Sequence, residues 1–251
     1  MIVTKKNYFE LKKKGFSILN FDNNIKSELL KNIKSKINKL FKNKYKKDIN
    51  KINQIDDKKF IDKFGNVSQR FFDFRTSKKF NELLKYQFKK NLNLNATMHN
   101  PTKSNIKFNN KLSKKDYSFY WRIVRMDKND VGKPHNDEQF WNLLDKKELN
   151  INYKIKEKFK IWIPLHGVTK QNCLRVLNKK FFNKNKLNTI KINNIIKPNI
   201  DEKWIKNNKN KFTKCFKDKN AILFDYQTIH YAPKNKSKKI RISCEATIII
   251  K

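Results

Sequence analysis

The sequence reads Phe159-Lys160-Ile161-Trp162-Ile163-Pro164-Leu165 a little past its midpoint. Apolar residues at every second position are typical of a β-strand that buries one face. The same period of two runs through residues 117–124, and apolar segments at 173–177, 221–224 and 240–250 indicate further strands. Because no long helical pattern separates these segments, they predict an antiparallel β sandwich or barrel.

The first hundred residues follow a helical period instead. Apolar residues recur every three or four positions over 25–41, which predicts one amphipathic helix. A short helix that stops at Gly15, a strand directly behind it and a helix around 77–89 are also expected, with 42–63 as a loop. The predicted fold class is therefore α+β, with N-terminal helices packed on one face of the β core.

Length and composition indicate one domain. The chain has 251 residues and is 37% hydrophobic, which is enough for a single large core. We expect a helical part at about 1–110 and a β core at about 115–251. A Lys/Asn-rich insertion at about 178–220 interrupts that core, and a connection of this length is usually a lid, a binding loop or a disordered stretch.

The formal net charge of +39 has two interpretations. The functional one is contact with nucleic acid or another polyanion, because lysines neutralise phosphates. The compositional one is that Lys, Asn, Ile and Phe are abundant together while Gly, Pro and Ala are scarce, as an AT-rich genome imposes. Since the lysines are spread along the chain, the compositional interpretation is favoured and a nucleic-acid partner is not.

Cysteine usage and hydropathy bear on the compartment. Cys173, Cys215 and Cys244 are odd in number and widely spaced, so they indicate neither a disulfide framework nor a zinc knuckle. No segment approaches the roughly eighteen apolar residues of a membrane span, and the N-terminus has no run that resembles a signal peptide. We expect a soluble protein of the reducing cytoplasm. The sequence does not indicate an oligomeric state.

Two histidines and an aspartate stand in an order that suits a metal ion. His135-Asn136-Asp137 lies near the middle of the chain and His230 close to its end. Two imidazoles and one carboxylate can cover one face of a ferrous ion and leave the other face open for a chelating co-substrate and dioxygen. Arg241 and Ser243 follow on one strand face, where a guanidinium fork and a hydroxyl can bind a carboxylate. Each residue alone has a structural interpretation, but jointly they predict an oxygenase with a keto-acid co-substrate.

With these residues in place, the sequence resembles the phytanoyl-CoA dioxygenase-like branch of the Fe(II)/2-oxoglutarate oxygenases. The resemblance covers residues 15–251 and is strongest from Tyr120 onward. Its matching segments are Gly15-Phe16-Ser17-Ile18, His135-Asn136-Asp137, Ile161-Trp162-Ile163-Pro164-Leu165, Asn172-Cys173-Leu174-Arg175-Val176, and His230 with Arg241-Ile242-Ser243. It implies a double-stranded β-helix (jelly-roll, cupin-like) fold, the cofactor Fe(II), the co-substrates 2-oxoglutarate and dioxygen, and hydroxylation of an unactivated C–H bond with release of succinate and CO2.

The resemblance also implies roles for individual residues. His135, Asp137 and His230 would be the metal ligands, and Arg241 would bind the distal carboxylate of 2-oxoglutarate, with Ser243 beside it. Trp162 matches an aromatic residue that lines the co-substrate pocket. There are two departures from the family pattern: Asn178-Lys179-Lys180-Phe181 stands in place of a Pro-Gly-Ser-His-like turn, and Cys173 stands where glycine is common. Because that turn shapes the substrate side, the resemblance does not carry over a substrate.

Several residues and functions stay open. Arg122, Arg125 and Arg175 are further candidates for an anionic pocket, and Phe140-Trp141 is either a substrate wall or packing. The favoured function is a small-molecule hydroxylase. One alternative is a nucleic-acid-modifying oxygenase, although Thr247 stands where the demethylases of this superfamily often have a second arginine. Another is a non-catalytic, basic, polyanion-binding protein on a jelly-roll scaffold.

Overall fold

The computed structural model describes residues 3–64, 74–99, 119–128, 130–142, 155–182, 187–192, 195–216 and 220–251. Two residues of the predicted strand at 117–124, Tyr117 and Ser118, lie outside these ranges. The described α-helices are α1 (Lys5–Lys14), α2 (Asn23–Leu40), α3 (Asp57–Phe64), α4 (Phe74–Leu92), α5 (Asp137–Asn142) and α6 (Glu202–Asn207).

The N-terminal helices begin and end at residues that suit those positions. The Thr4 hydroxyl accepts a hydrogen bond from the backbone N–H of Asn7, whose side chain accepts one from the N–H of Thr4, forming a capping box at α1. Gly15 ends α1 with φ of 84°, a left-handed conformation that glycine adopts without strain. Asp22 caps α2 in the same manner as Thr4. The three predicted helices are confirmed.

The predicted loop at 42–63 was wrong in part. It contains a 3-10 helix at Ile49–Gln54 and most of α3. Ile49, Ile52, Ile55 and Phe60 are buried and pack into the same core as the longer helices. Ile49, Ile52 and Ile55 recur every three residues, so a helical spacing was present, but the many Lys, Asn and Asp residues between them favoured a loop, and burial in the core overrides that local preference.

The strands pair antiparallel throughout the described residues. They are β1 (Phe16–Asn20), β2 (Ala96–His99), β3 (Tyr120–Val124), β4 (Glu157–His166), β5 (Leu174–Leu177), β6 (Leu187–Ile192), β7 (Ile195–Ile200), β8 (Phe212–Cys215), β9 (Asn220–Asp225), β10 (His230–Tyr231) and β11 (Arg241–Ile250). The major sheet has the order β1-β9-β4-β11, and the far edge of β11 pairs with both β2 and β3. The minor sheet has the order β10-β5-β8, and β6 and β7 form a separate hairpin.

The two faces of the major sheet have different partners. Phe159, Ile161, Ile163 and Leu165 of β4 belong to one core with α1, α2 and α4, so the helices cover that face as predicted. Trp162 alternates with them and packs in a second core with residues of β1, β5, β8 and β9, namely Phe16, Leu174, Val176, Cys215, Ile222 and Phe224. The inner face of the major sheet is therefore opposed by the minor sheet.

The predicted insertion at 178–220 is folded where the structure describes it. It contains the β6–β7 hairpin and α6, and its last strand, β8, pairs with β5 and so belongs to the minor sheet. Ile200, Ile205 and Phe212 form a small core with Leu177 and Ile229. The disordered alternative was wrong for these residues. The single-domain assignment and its internal boundaries stay predictions.

None of the described helices is both long enough and apolar enough to cross a lipid bilayer.

Gly167, which follows β4, provides a test of the packing between β4 and β11. Its φ is 59°, and a Cβ atom built on it would lie 2.0 Å from the carbonyl oxygen of Ile240. We expect Gly167→Ala to lower the free energy of unfolding by at least about 1–3 kcal/mol, because a left-handed residue with a side chain is strained and the backbone would also have to move. Urea denaturation measures this, with the exposed Lys170→Ala as the control. An unchanged midpoint for Gly167→Ala would contradict the observed approach of the two strands.

Candidate metal centre

The two histidines are held side by side by backbone hydrogen bonds. The N–H of His135 donates to the carbonyl of His230 at 3.2 Å, and the N–H of His230 donates back to the carbonyl of His135 at 2.9 Å. Their rings are 4.5 Å apart between centroids. Asp137 opens α5 two residues later. One ligand atom from each of His135, Asp137 and His230 lies within 4.8 Å of the other two, and all three residues are buried.

Hydrogen bonds to carbonyl groups fix both imidazoles. Nδ1 of His135 is 2.6 Å from the carbonyl oxygen of Lys133, and Nδ1 of His230 is 3.0 Å from that of Thr228. A carbonyl only accepts, so each proton stands on Nδ1 and each Nε2 keeps its lone pair. This is the arrangement by which outer contacts orient metal-ligating histidines.

Asp137 contributes an acceptor that lacks a donor. Its Oδ2 is buried without a hydrogen bond among the described residues and lies 4.0 Å from Nε2 of His230. The next residue back, Asn136, accepts a hydrogen bond from the N–H of Gln139 at 2.9 Å and so caps α5, which fixes the backbone of Asp137. A carboxylate oxygen without a donor among the described residues, beside the Nε2 atoms of two imidazoles, fits a divalent transition metal.

The protonation states agree with this donor set. Burial and the neighbouring His230 lower the pKa of His135 to about 3, so its imidazole is neutral at physiological pH. Burial raises the pKa of Asp137, but Lys160, His230, His135 and Arg122 together lower it by more, and the pKa falls below its ordinary value. A neutral imidazole and an ionised carboxylate are the forms that bind metals.

Arg241 and Ser243 are the predicted co-substrate residues, and both lie on the inner face of β11. They alternate with Ile242 and Cys244, which belong to the helix-side core. Arg241 donates through Nη1 to the carbonyl of Asn172, while its Nε and the Ser243 hydroxyl are buried without a partner among the described residues. Burial and the nearby Arg122 lower the pKa of Arg241 to about 9, which leaves the guanidinium charged at neutral pH.

No carboxylate among the described residues forms an ion pair with Arg241. A buried guanidinium without a counter-ion is costly, and an anionic ligand offsets that cost. Trp162, the third predicted residue, lies in the apolar core between the sheets. The ring of His230 packs 4.7 Å from that of Phe224, a member of the same core.

The three further arginines lie in different parts of the structure and have different partners. Arg125 is buried on the helix side, where it binds Asp130 through two contacts of 2.8 Å and stacks 3.8 Å from the Phe60 ring, so it is structural. Arg175 donates to the hydroxyl of Tyr231 at 3.0 Å. Arg122 lies on the inner face of β3 and forms an ion pair with Glu245 of β11. The side chains of Phe140 and Trp141 lie outside the described residues.

Sequence reasoning did not assign Glu245, Lys160 or Tyr226 to this polar interior. Glu245 and Thr247 continue the inner row of β11, Lys160 lies on the inner face of β4, and Arg122 of β3 is 3.3 Å from Glu245. The Tyr226 hydroxyl is 2.8 Å from the hydroxyl of Thr247. The sequence alone gave no signal for this, because alternating polar residues in an antiparallel strand are typical of a solvated face, and only the fold shows that all ten residues of β11 are buried.

Neither protein-family models nor curated protein sequences gave a match to the chain. Among solved structures, EctD from S. alaskensis in its apoform aligns over 98% of this chain and 77% of its own, with a TM-score of 0.57 and 12% identity. Other structures of EctD contain Fe, or 2-oxoglutarate and 5-hydroxyectoine.

Two more structures give the same result. EvdO2 from Micromonospora carbonacea var. aurantiaca, complexed with 2-oxoglutarate, aligns over 100% of this chain and 92% of its own, with a TM-score of 0.53 and 12% identity. SnoK, a non-heme alpha ketoglutarate dependent carbocyclase from nogalamycin biosynthesis, aligns over 98% and 84%, with a TM-score of 0.51 and 10% identity.

The chain has the cupin-type jelly-roll fold. The predicted fold class is thereby confirmed. Because identity is only 10–12%, the likeness establishes the fold, and the roles of individual residues depend on the local geometry.

The metal centre can be tested without knowing a substrate. We expect the protein to bind one Co(II) or Mn(II) ion, and His135→Ala or His230→Ala to weaken binding by more than the roughly 10–100-fold that loss of an outer contact costs. Isothermal titration measures the affinity, and His166→Ala, outside the centre, is the matched control. Asp137→Ala should retain some metal. Wild-type affinity in either ligand variant would remove the proposed triad.

Proposed function

We propose that the protein is an Fe(II)/2-oxoglutarate-dependent dioxygenase that hydroxylates an unactivated C–H bond of a small molecule. The observation that carries this is the buried group of His135, Asp137 and His230, with one ligand atom of each within 4.8 Å of the others, in a jelly roll that also buries the guanidinium of Arg241 with no counter-ion among the described residues. Three ligands on one side leave positions for a chelating co-substrate and dioxygen.

The chain would hold the metal and the co-substrate from different strands. His135, Asp137 and His230 would bind Fe(II), which when bound supplies the oxygen-activating chemistry that is coupled to conversion of 2-oxoglutarate to succinate and CO2. Arg241 would take the distal carboxylate of 2-oxoglutarate with its planar fork, and the hydroxyl of Ser243, which has no partner among the described residues, would add a second hydrogen bond. Trp162 would provide an apolar wall for the chain between the two ends of the co-substrate.

The structural neighbours support a small-molecule substrate class. EctD has been solved with 5-hydroxyectoine and 2-oxoglutarate, and SnoK acts in nogalamycin biosynthesis. The substrates differ between these proteins, so neither identity is transferred here. A carboxylate ligand at Asp137 favours hydroxylation, because halogenation by this chemistry needs a small residue there so that a halide can bind the metal.

We further propose a cytoplasmic enzyme whose charge is compositional. Cys173, Cys215 and Cys244 are all free and buried, the state that a reducing compartment maintains. Exposed lysines occur on α1, α2, α4 and α6 and in the turn before β11, so they follow the composition of the whole chain instead of one segment. A lysine content spread in this way supports the compositional interpretation of the charge.

Arg241→Lys tests the co-substrate assignment. The substitution keeps a charge but removes the planar fork, so the apparent dissociation constant for 2-oxoglutarate should rise while Co(II) affinity stays nearly unchanged. A charged hydrogen-bonded contact contributes roughly 1.5–3 kcal/mol, which corresponds to a rise on the order of tenfold to a hundredfold. Ser243→Ala should give a smaller rise.

Titration of 2-oxoglutarate into Co(II)-loaded protein gives these constants. Arg175→Lys is the control, because Arg175 is also a buried arginine but contacts Tyr231 instead. If Arg241→Lys leaves 2-oxoglutarate binding untouched, a metal-dependent cupin-like enzyme without a keto-acid co-substrate becomes the better account.

A further inference from the structure

Lys160 is a nearly buried cation beside the candidate metal centre. It lies on the inner face of β4, and its side chain is only 12% exposed. Its ammonium nitrogen is 3.8 Å from Oδ2 of Asp137, which is too far for a hydrogen bond. The rings of Tyr120 and Tyr226 flank it, with centroids 5.6 and 5.9 Å from the nitrogen.

The N–H groups of this ammonium have no hydrogen-bond acceptor among the described residues. An ammonium carries three N–H groups, and no acceptor of the described residues lies within hydrogen-bond distance of Lys160. Burying such a group without acceptors is costly. The neighbouring lysine of β4 that shares its face, Lys158, differs in this respect, because its nitrogen is 2.9 Å from a carboxylate oxygen of Glu138. Lys160 is therefore placed to receive an acceptor from a ligand.

The charges in the interior indicate the charge of the ligand that Lys160 would bind. Lys158 and Glu138 form a pair whose charges cancel. The other charged residues described in the interior are the cations Arg122, Lys160 and Arg241 and the carboxylates Asp137 and Glu245. They leave one positive charge. A divalent metal and the dianion 2-oxoglutarate cancel each other, so one positive charge would remain in the loaded site.

Lys160 and Arg241 are attached far apart on the sheet. Lys160 pairs in register with Thr247, which is six residues beyond Arg241 on β11. Six strand residues span roughly 20 Å between their Cα atoms. Arg241 would hold the distal carboxylate of the co-substrate, so Lys160, whose ammonium lies 3.8 Å from Oδ2 of Asp137, is left to a ligand group at the metal end of the interior.

We propose that the prime substrate is a small carboxylic acid, and that its carboxylate binds to Lys160 between Tyr120 and Tyr226. This inference rests on the proposed function and names the substrate class of the same site. A carboxylate matches the single remaining charge, whereas a phosphate monoester carries about −1.5 to −2 at neutral pH and exceeds it. The two rings provide apolar walls against the remainder of the substrate.

The test uses acetate as the carboxylate probe and acetamide as its neutral counterpart. Protein loaded with Co(II) and saturated with 2-oxoglutarate is titrated with each probe, and binding is followed through the visible Co(II) spectrum. We expect saturable binding of acetate and none of acetamide. Lys160→Met should weaken acetate binding at least about tenfold, and Lys160→Arg should retain it, because a charged hydrogen bond contributes about this much. Lys158→Met, already paired in the wild type, is the matched control.

The outcomes separate this inference from the proposed function. Failure of the wild type to bind Co(II) or 2-oxoglutarate in the loading steps would overturn the proposed function itself. With both bound, equal acetate affinity in wild type and Lys160→Met, or no acetate binding by the wild type, overturns the role of Lys160. Loss of acetate binding on saturation with 2-oxoglutarate would place acetate at Arg241 and also overturn it.

The metal affinity of Lys160→Met distinguishes substrate binding from a role in positioning Asp137. Removing a cation 3.8 Å from a ligand carboxylate should leave Co(II) affinity equal or higher. Weaker Co(II) binding with acetate binding intact would assign Lys160 to Asp137 instead and overturn the proposal. If Lys160→Met does not fold, acetate discrimination by the wild type and by Lys160→Arg decides in its place.

Discussion

Strand β11 is buried along all of its residues, and its register against β4 decides what each of its faces contacts. In the observed register, Ile242, Cys244 and Ala246 meet the helix-side core, so the alternate residues face the minor sheet. A slip of one residue would exchange the two faces and bury the guanidinium of Arg241 among apolar side chains. The hydrophobic core and the polar interior therefore depend on the same pairing, and neither can change without the other.

The metal ligands reach this interior from the opposite side. His230 begins β10 of the minor sheet, and its backbone bridge to His135 brings the loop before α5 into place. The Thr228 hydroxyl, two residues before His230, donates to the carbonyl of Gly15 at 2.7 Å. The turn between α1 and β1 is thus tied to the ligand loop, which gives a physical reason why a glycine-containing segment near the N-terminus belongs with ligands more than one hundred residues away.

Much of this arrangement could be predicted from local patterns, and the remainder depends on distant registers. The period of two identified β3 and β4, an apolar segment indicated β11, and the order of His135, Asp137 and His230 identified residues that the fold brings together. The pairing of Arg122 with Glu245 spans 123 residues and follows only from the register of β3 on β11. Arg125 was grouped with the pocket candidates, yet it shares the phase of Trp121 and Ile123 on the helix side, where Asp130 binds it. In the segment 42–63 the three-residue spacing of Ile49, Ile52 and Ile55 was outweighed by the polar residues around it, and only their burial in the core identifies them as structural.

The inner charges fall into two kinds, and the difference separates structure from ligand binding. Glu245 is 3.3 Å from Arg122, so each compensates the charge of the other with or without a ligand. Arg241 and Lys160 have no such partner at hydrogen-bonding distance among the described residues, and their desolvation opposes folding until a ligand supplies one. A ligand that binds only the native state stabilises it in proportion to its affinity, so these two cations couple stability to occupancy. Arg241 lies at the start of β11, whereas Lys160 lies on β4 opposite Thr247, six residues further along β11, and the ion pair of Arg122 with Glu245 belongs to the stretch between them. The interior can therefore distinguish two anions by position even though both are recognised by positive charge.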